Sequence, residues 1–489
     1  MAIAEAVAPA TTEYDVLATD IDRRLVVPVS PESADAAPTG WRSPGWQVGI
    51  FVAGWPVWWA IGITQFVAPV LAFGLARELR RRGPVRLPPG FWLWALFLLW
   101  VIASGLALNV TASGTLPTSG LGRYIAYTVR TLNYLSVTVM AIYVGNLTER
   151  ELPRRRVIAW MASLAVTTIC LGTLAVGFPH FAFDTLISHV VPSKFLGLDG
   201  GQAALAQLQP VLGDPSPRPS APFAFANAWG NSLSLLMVWL VVAGSVHSSR
   251  RKIVAGCLLA VALVPIVYSL DRGMWIGIGL SAGIVAVRLA LRGRLAAIGV
   301  LATVVTFGAL IVVASPLSTL IQERLNAGHS NEVRRSLASD SVKGAFESPI
   351  LGFGSTRATL GSDASITIGQ TADCPRCGNR DIGSTGQLWL VMFAQGIIGA
   401  LFYVGFLLRS MWAYRGDHSI LGIAGWLVIF LQLFYGAFYS ALIIPLMVTL
   451  LAVALLWRNE QLRDEYGEFG GTDVALVTTR PFEVRVRRP

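Results

Sequence analysis

Long apolar stretches alternate with short polar ones from about position 45 to position 457, and nearly every charge falls between them. Each stretch approaches the roughly 20 residues needed to cross about 30 Å of hydrocarbon. A backbone in lipid must satisfy its own N–H and C=O groups, so such runs predict helices. The pattern predicts spans at 91–108, 122–144, 157–176, 223–246, 253–270, 274–289, 295–314, 387–408, 420–435 and 437–457. The leading stretch, 46–76, is too long for one ordinary helix and short for two, and Pro56 and Gly62 within it predict a bent or paired element. The chain therefore reads as all-α: a polytopic transmembrane helical bundle of 11–12 spans, with two long outward-facing loops containing short amphipathic helices.

Basic residues give this pattern a direction. Arg77, Arg80, Arg81, Arg82 and Arg86 fall in one connection, and Arg150, Arg154, Arg155 and Arg156 in the next but one. Arg250, Arg251 and Lys252, then Arg288, Arg292 and Arg294, then Arg409 and Arg415, then Arg458 and Arg463 continue the alternation. An excess of Lys and Arg marks cytoplasmic loops, so all of these are expected on the cytoplasmic side of a cytoplasmic (inner) membrane. The two long loops, 178–222 and 315–384, then face outward, and the working face is expected there. Residues 1–44 hold acidic residues, prolines and no apolar core of signal-peptide length, and predict a disordered cytoplasmic tail. Residues 45–458 form the membrane domain, and 459–489 a second cytoplasmic tail.

Composition narrows the class. Hydrophobic residues make up 54% of the chain and charged ones 13%, which excludes an ordinary soluble domain. A net charge of +10 would point to nucleic acid in a soluble protein. Here the cations flank apolar runs, so membrane lipids are the expected partner and nucleic acid is not. Cys170 and Cys257 lie within apolar runs and read as packing residues. Cys374 and Cys377 form a lone Cys-Pro-Arg-Cys that cannot supply four zinc ligands, and a local disulfide is favoured over free thiols. No nucleotide loop, nicotinamide fingerprint or metalloprotease motif is present, so no cofactor and no metal are expected. Any group transfer would draw on a donor that is already activated.

Four segments carry candidate chemistry. Asp271-Arg272-Gly273 joins two spans with almost no loop. It reads either as a snorkelling pair at a helix end or as a guanidinium that grips a diphosphate bidentately. Arg218 to Phe223, followed by Asn227, is either a proline-rich lead into a helix or part of a polar pocket for sugar or phosphate. In the second long loop, Val333, Leu337, Val342 and Phe346 have the spacing of an amphipathic helix on the membrane surface. That helix would carry Arg334 and Arg335, with His329 as a candidate general base or a plain solvated histidine. Ser384, Thr385 and Gln387 precede the next span, where they either cap a helix or present donors to a substrate.

The order of these pieces resembles the O-antigen ligase and polymerase superfamily of membrane glycosyltransferases. Ser348-Pro349-Ile350-Leu351-Gly352-Phe353-Gly354 is similar to that family's Pro-Leu-hydrophobic-Gly-hydrophobic-Gly turn. Gln395-Gly396-Ile397-Ile398-Gly399 resembles its Gly-Ile-hydrophobic-Gly span, and Arg218 to Asn227 its Arg–Gly–Asn-Pro-Asn region. The resemblance covers roughly positions 45 to 457. It implies transfer of a glycan from a lipid-linked undecaprenyl diphosphate donor to a glycan or glycolipid acceptor at the outer face of a bacterial membrane, without metal. Arg272 and Arg334 are then expected to stabilise the leaving diphosphate, and a histidine to act as base; His329, or a carboxylate such as Glu332 or Asp381, is the candidate for that role in this chain. Arg218, Asn227, Arg335, Thr385 and Gln387 are expected to bind substrate. The chain departs from the pattern in one place: no histidine stands near Ser384 or Thr385, where the family's His-Asn should fall.

Two other classes compete. A flippase or transporter of lipid-linked oligosaccharide predicts charges near mid-span and broken helices. A non-catalytic scaffold of envelope assembly predicts neither, and fits the missing histidine.

Overall fold

The computed structural model describes residues 43–115, 121–191, 201–210, 215–245, 249–290, 298–299, 329–358 and 381–466. Positions 1–42 of the expected tail 1–44, positions 467–489 of the expected tail 459–489, most of the expected span 295–314, and both Cys374 and Cys377 lie outside the described residues.

From Pro44 onward the chain is mostly helical. The leading stretch resolves into α1 (Trp46–Ala53), α2 (Trp55–Ile61) and α3 (Thr64–Arg81). Gly54 and Gly62 make the breaks. A methyl group at Gly54 would overlap the Ile50 carbonyl, and Gly62 has φ +91°, a left-handed conformation that favours glycine. Gly45 lies against Leu147 and Leu152, and Arg82, just past α3, pairs with Glu151. The stretch thus traverses the bundle and returns.

The helices that follow are α4 (Phe91–Ala103), α5 (Gly122–Asn146), α6 (Arg154–Gly177), α7 (Ala226–Ser245), α8 (Ser249–Tyr268) and α9 (Arg272–Ala290). After these come α10 (His329–Glu347), α11 (Gln387–Ala413), α12 (Ile420–Tyr435) and α13 (Ile444–Tyr466). Five helical segments among the described residues are long and apolar enough to cross a membrane: Arg154–Gly177, Ala226–Ser245, Arg250–Tyr268, Arg272–Ala290 and Gln387–Ala413. Phe91–Ala107 and Ile420–Tyr435 are apolar but shorter. Large apolar side chains are left open on outward faces, among them Val70, Ile253, Leu263, Ile276 and Leu401. Burying them would gain about 25 cal/mol per Å², so a face like this is stable where the surroundings are themselves apolar.

The helices alternate in direction, which gives the bundle two ends. The floor holds the starts of α6 and α12 and the end of α13; the crown holds the starts of α7, α9, α11 and α13. At the floor, α12 begins at Ser419, whose hydroxyl accepts the Gly422 N–H at 2.9 Å and so caps the helix. Helix α13 runs eight residues beyond Arg458 to Tyr466. Arg458 and Asn459 are buried, so the C-terminal tail starts later than the sequence pattern suggests.

The long loops also differ from expectation. Among its described residues the first carries two antiparallel strand pairs, β1 (Ala182–Asp184) with β2 (Gln202–Ala204) and β3 (Ala206–Pro210) with β4 (Pro215–Pro219), and one short 3₁₀ helix, Leu186–His189. The second does contain a helix, α10, but its buried stripe is Leu337, Ser341 and Ala345, while Phe346 is 71% exposed. Small residues there let α10 lie close on α11: a methyl group at Gly344 would collide with the Phe393 ring.

Candidate functional site

The hairpin β3–β4 places Arg218 opposite Gln207 in register. The same Gln207 accepts the N–H of Ala226 at 3.0 Å and so anchors the start of α7. Arg218 is buried. Its Nε donates to the Ser269 carbonyl at 2.6 Å and its Nη2 to Asn227 Oδ1 at 3.0 Å. Both of these acceptors are neutral oxygens, and they fix the direction of the guanidinium.

Ser269 belongs to the tight turn between α8 and α9. Leu270 in that turn has φ +52°, a left-handed conformation that a residue with a side chain adopts at a cost of about 1–2 kcal/mol. Three residues there reverse the chain, so Asp271 enters the bundle while Arg272 opens α9. Asp271 is 4% exposed. The Tyr439 hydroxyl donates to its Oδ1, and its Oδ2 has no hydrogen-bond partner among the described residues. Glycines make room for this pair. A methyl group at Gly230 would come within 2.5 Å of Asp271 Oδ2, and one at Gly273 would overlap the Tyr439 hydroxyl.

Arg334 is half-buried on α10, within electrostatic range of both Arg272 and Tyr439. Its neighbour Arg335 is exposed on the same helix. The side chain of His329 lies outside the described residues, although its backbone begins α10.

Gln387 ties this group to a second one. Its backbone N–H donates to the Tyr439 carbonyl at 2.8 Å, its Oε1 accepts the Ala441 N–H at 3.0 Å, and its Nε2 donates to the Tyr134 hydroxyl. Tyr134 lies on α5 in electrostatic range of Arg130, which also acts on Asp381. Thr385 is buried, and its hydroxyl has no hydrogen-bond partner among the described residues. The structure therefore brings Arg218, Asn227, Arg272, Arg334, Thr385 and Gln387 to the crown, and leaves Arg335 at its exposed margin.

Arg357 is buried beside this group and donates to the carbonyls of Ser355, Thr356, Phe353, Leu108 and Val110. Burial, and then the nearby Arg123, hold its pKa below the ordinary arginine value. The turn before it explains two of the sequence motifs. Gly396, with φ +71°, breaks the helical ladder inside α11. The turn at 349–354 docks into that break: Phe353 N–H donates to the Phe393 carbonyl at 3.0 Å and Gly354 N–H to the Ala394 carbonyl at 2.8 Å. Only a glycine fits at 352, because a methyl group there would meet the backbone of Ala394 and Gly396 at 2.5 Å. These motifs lock the second loop onto α11 and so fix where α10 presents Arg334.

Sequence reading missed Arg130, Arg357 and Tyr439. Arg130 had a signal, being an ionisable residue inside the apolar run 122–144. Tyr439 had none, since it meets Asp271 across 168 positions of chain. A cavity of about 620 Å³ lies along α9, lined by Ile276, Leu280, Ile284 and Arg288 among others. It is nearly all apolar and runs away from the crown, so it does not mark this site. Among the described residues no three His, Cys, Asp or Glu side chains converge as metal ligands would. No family model matches the chain, and no curated protein matches it.

Proposed function

We propose that this chain is a multi-pass membrane glycosyltransferase. It moves or polymerises glycan from an undecaprenyl-diphosphate-linked donor onto an acceptor sugar at the outer face of a bacterial cytoplasmic membrane. The observation that carries the reading is the gathering of Arg218, Arg272 and Arg334, from three distant stretches, around the turn Ser269–Arg272. The one carboxylate in that turn, Asp271, is engaged by Tyr439. Three guanidiniums thus meet at a turn that itself carries one carboxylate, a surplus of cations over the acid of that turn.

That surplus suits a diphosphate. Guanidinium forks match its oxygens bidentately. As the bond from sugar carbon to diphosphate oxygen breaks, negative charge grows on the leaving group, and cations already in place stabilise it without reorganising. The lipid diphosphate brings the free energy, which agrees with a sequence lacking a nucleotide loop. The basic residues that gather at the floor favour an outward-facing crown. The open apolar faces of α3, α8 and α9 favour a lipid surround through which a prenyl chain can approach.

Arg272→Ala is the test. In cells whose chromosomal copy is replaced by the variant, lipid-linked glycan accumulates and transfer falls by about 100-fold or more. The amount of protein in the membrane stays the same. Full transfer by this variant removes the arginine cradle from the mechanism.

A further inference from the structure

A hydroxyl that attacks a sugar carbon must lose its proton, and a positioned side chain usually takes it. The arginines cannot do so, because they stay protonated. In inverting glycoside hydrolysis a carboxylate takes the proton of the attacking water, on the face of the sugar opposite the leaving group, and a carboxylate can serve an attacking sugar hydroxyl in the same way. Among the described residues, one carboxylate lies on the turn that leads to Thr385 and Gln387.

That carboxylate is Asp381. It sits in the turn that leads into α11. Its Oδ2 accepts the Thr356 hydroxyl at 3.0 Å, and its backbone carbonyl accepts the Ser384 N–H at 3.1 Å. Within the turn, Gly383 N–H donates to Ser341 Oγ of α10 at 3.1 Å. Leu337, one helical turn from Arg334, packs in the same apolar cluster as Ile382, the neighbour of Asp381. The helix that carries Arg334 is thus fastened directly to the turn that carries Asp381. Arg130 and Arg357 both lie in electrostatic range of the Asp381 carboxylate. Four residues on, Thr385 is 8% exposed, and its hydroxyl has no hydrogen-bond partner among the described residues. Gln387 stands between this group and the arginine cradle, touching Tyr439 on one side and Tyr134 on the other.

We propose that the turn from Asp381 to Thr385, together with Arg130, is the subsite for the acceptor sugar, and that Asp381 takes the proton of the attacking hydroxyl. This rests on the glycosyl-transfer reading above. The acceptor oxygen forms a bond to the anomeric carbon of the donor. The bond from that carbon to the diphosphate oxygen breaks, and its electron pair leaves with the lipid diphosphate. The hydroxyl proton passes to the Asp381 carboxylate and then to water at the outer face. Attack and departure on opposite sides invert the anomeric centre. Thr385 Oγ and the Arg130 guanidinium hold neighbouring oxygens of the acceptor.

The experiment compares Asp381→Asn, Asp381→Glu, Arg272→Ala and His329→Ala, each in the full chain. Membranes are prepared from cells lacking the chromosomal copy. Their lipid-linked glycans are pulse-labelled and chased into product across a range of pH, and binding of undecaprenyl diphosphate to the purified proteins is measured separately. Asp381→Asn is expected to transfer about 100-fold more slowly or worse, because general-base catalysis contributes at least that much. Its binding of undecaprenyl diphosphate and its thermal midpoint stay at the wild-type values. The acid limb of the wild-type pH–rate profile disappears in Asp381→Asn and persists in Asp381→Glu, which recovers part of the rate. A misplaced turn would weaken binding or lower the thermal midpoint and would leave the limb in place. Asp381→Asn with wild-type rate, or an acid limb lost in His329→Ala instead, overturns the assignment. If Arg272→Ala is then inactive, the diphosphate cradle still stands. If Arg272→Ala also transfers normally, the parent reading falls with it.

Discussion

The two ends of the bundle use the same residue type in opposite ways. At the floor, buried arginines meet carboxylates. Glu149 Oε2 accepts from Arg154 Nε at 3.2 Å and from Arg458 Nη2 at 2.9 Å, although both guanidiniums are almost wholly buried. Arg154 also donates to Asn459, whose Nδ2 donates to Asp417 Oδ2 at 2.7 Å, and Arg463 reaches the same carboxylate at 3.3 Å. At the crown, the hydrogen bonds of Arg218 and Arg357 described above go to carbonyls and one side-chain amide. A carboxylate fixes a guanidinium and neutralises it; a carbonyl fixes it and leaves the charge in place. The floor is therefore a clasp between helices, and the crown, on the function proposed above, is where an anion would bind.

The sharpest way to break this contrast is to remove the shared acid of the clasp. Glu149→Ala strands two buried guanidiniums, and loss of one partner of a buried ion pair costs about 3–5 kcal/mol. Thermal or denaturant unfolding in detergent should show a loss of that order, with the remaining folded protein still able to transfer. Arg272→Ala should do the reverse, keeping the fold and losing the reaction. If both variants lose stability alike, the ends do not differ in the way argued.

A second variant converts the crown towards the floor. Asn227→Asp puts a carboxylate 3.0 Å from Arg218 Nη2, where the amide oxygen now stands. The new charge pair should hold the hairpin at least as firmly, while it competes with the diphosphate for the same cation. Loss of one charge-assisted interaction of about 1.5 kcal/mol corresponds to roughly tenfold weaker binding of undecaprenyl diphosphate. A variant that binds as well as wild type would mean that Arg218 does not face the ligand.

Much of this contrast was visible in the sequence and part of it was not. Alternating basic connections separated the ends, because charge near span termini is a local property of the chain. Glycine at 352 and 396 marked a backbone that must bend, though not that the two bends grip each other. Arg334 and Arg272 could be singled out by motif order. The Asp271–Tyr439 contact, the five carbonyls around Arg357 and the sharing of Glu149 by Arg154 and Arg458 join residues separated by up to several hundred positions. No periodicity encodes such pairs; they arise from how helices pack. The hairpins of the first loop were missed because short strands rich in Pro, Gln and Ala lack the alternating β-branched pattern by which strands are read.

The smallest expected effect lies at the rim of the floor, where a pair of the same chemistry is open to solvent. Arg82 bridges Glu78 and Glu151, with its side chain and that of Glu151 about a third exposed. Burial alone would raise the Glu151 pKa. The Thr148 backbone N–H, the Arg82 guanidinium and the Thr148 hydroxyl outweigh it and hold the carboxyl below the usual glutamate value. A carboxyl depressed on folding stabilises the protein above its unfolded pKa, and that contribution disappears as pH falls through the folded value. Glu151→Gln should thus lower stability at pH 7 by about 0.2–1 kcal/mol, the usual worth of a solvent-screened pair. The gap to wild type should stay flat between pH 6 and 8, close as the solution is made more acidic than the ordinary carboxylate range, and shrink in high salt. Glu149 is itself 30% exposed, but its partners Arg154 and Arg458 are 1% and 3% exposed, so this clasp is less screened and more of the Glu149→Ala deficit should survive the same salt. Equal salt sensitivity at the two positions would erase the distinction between rim and clasp.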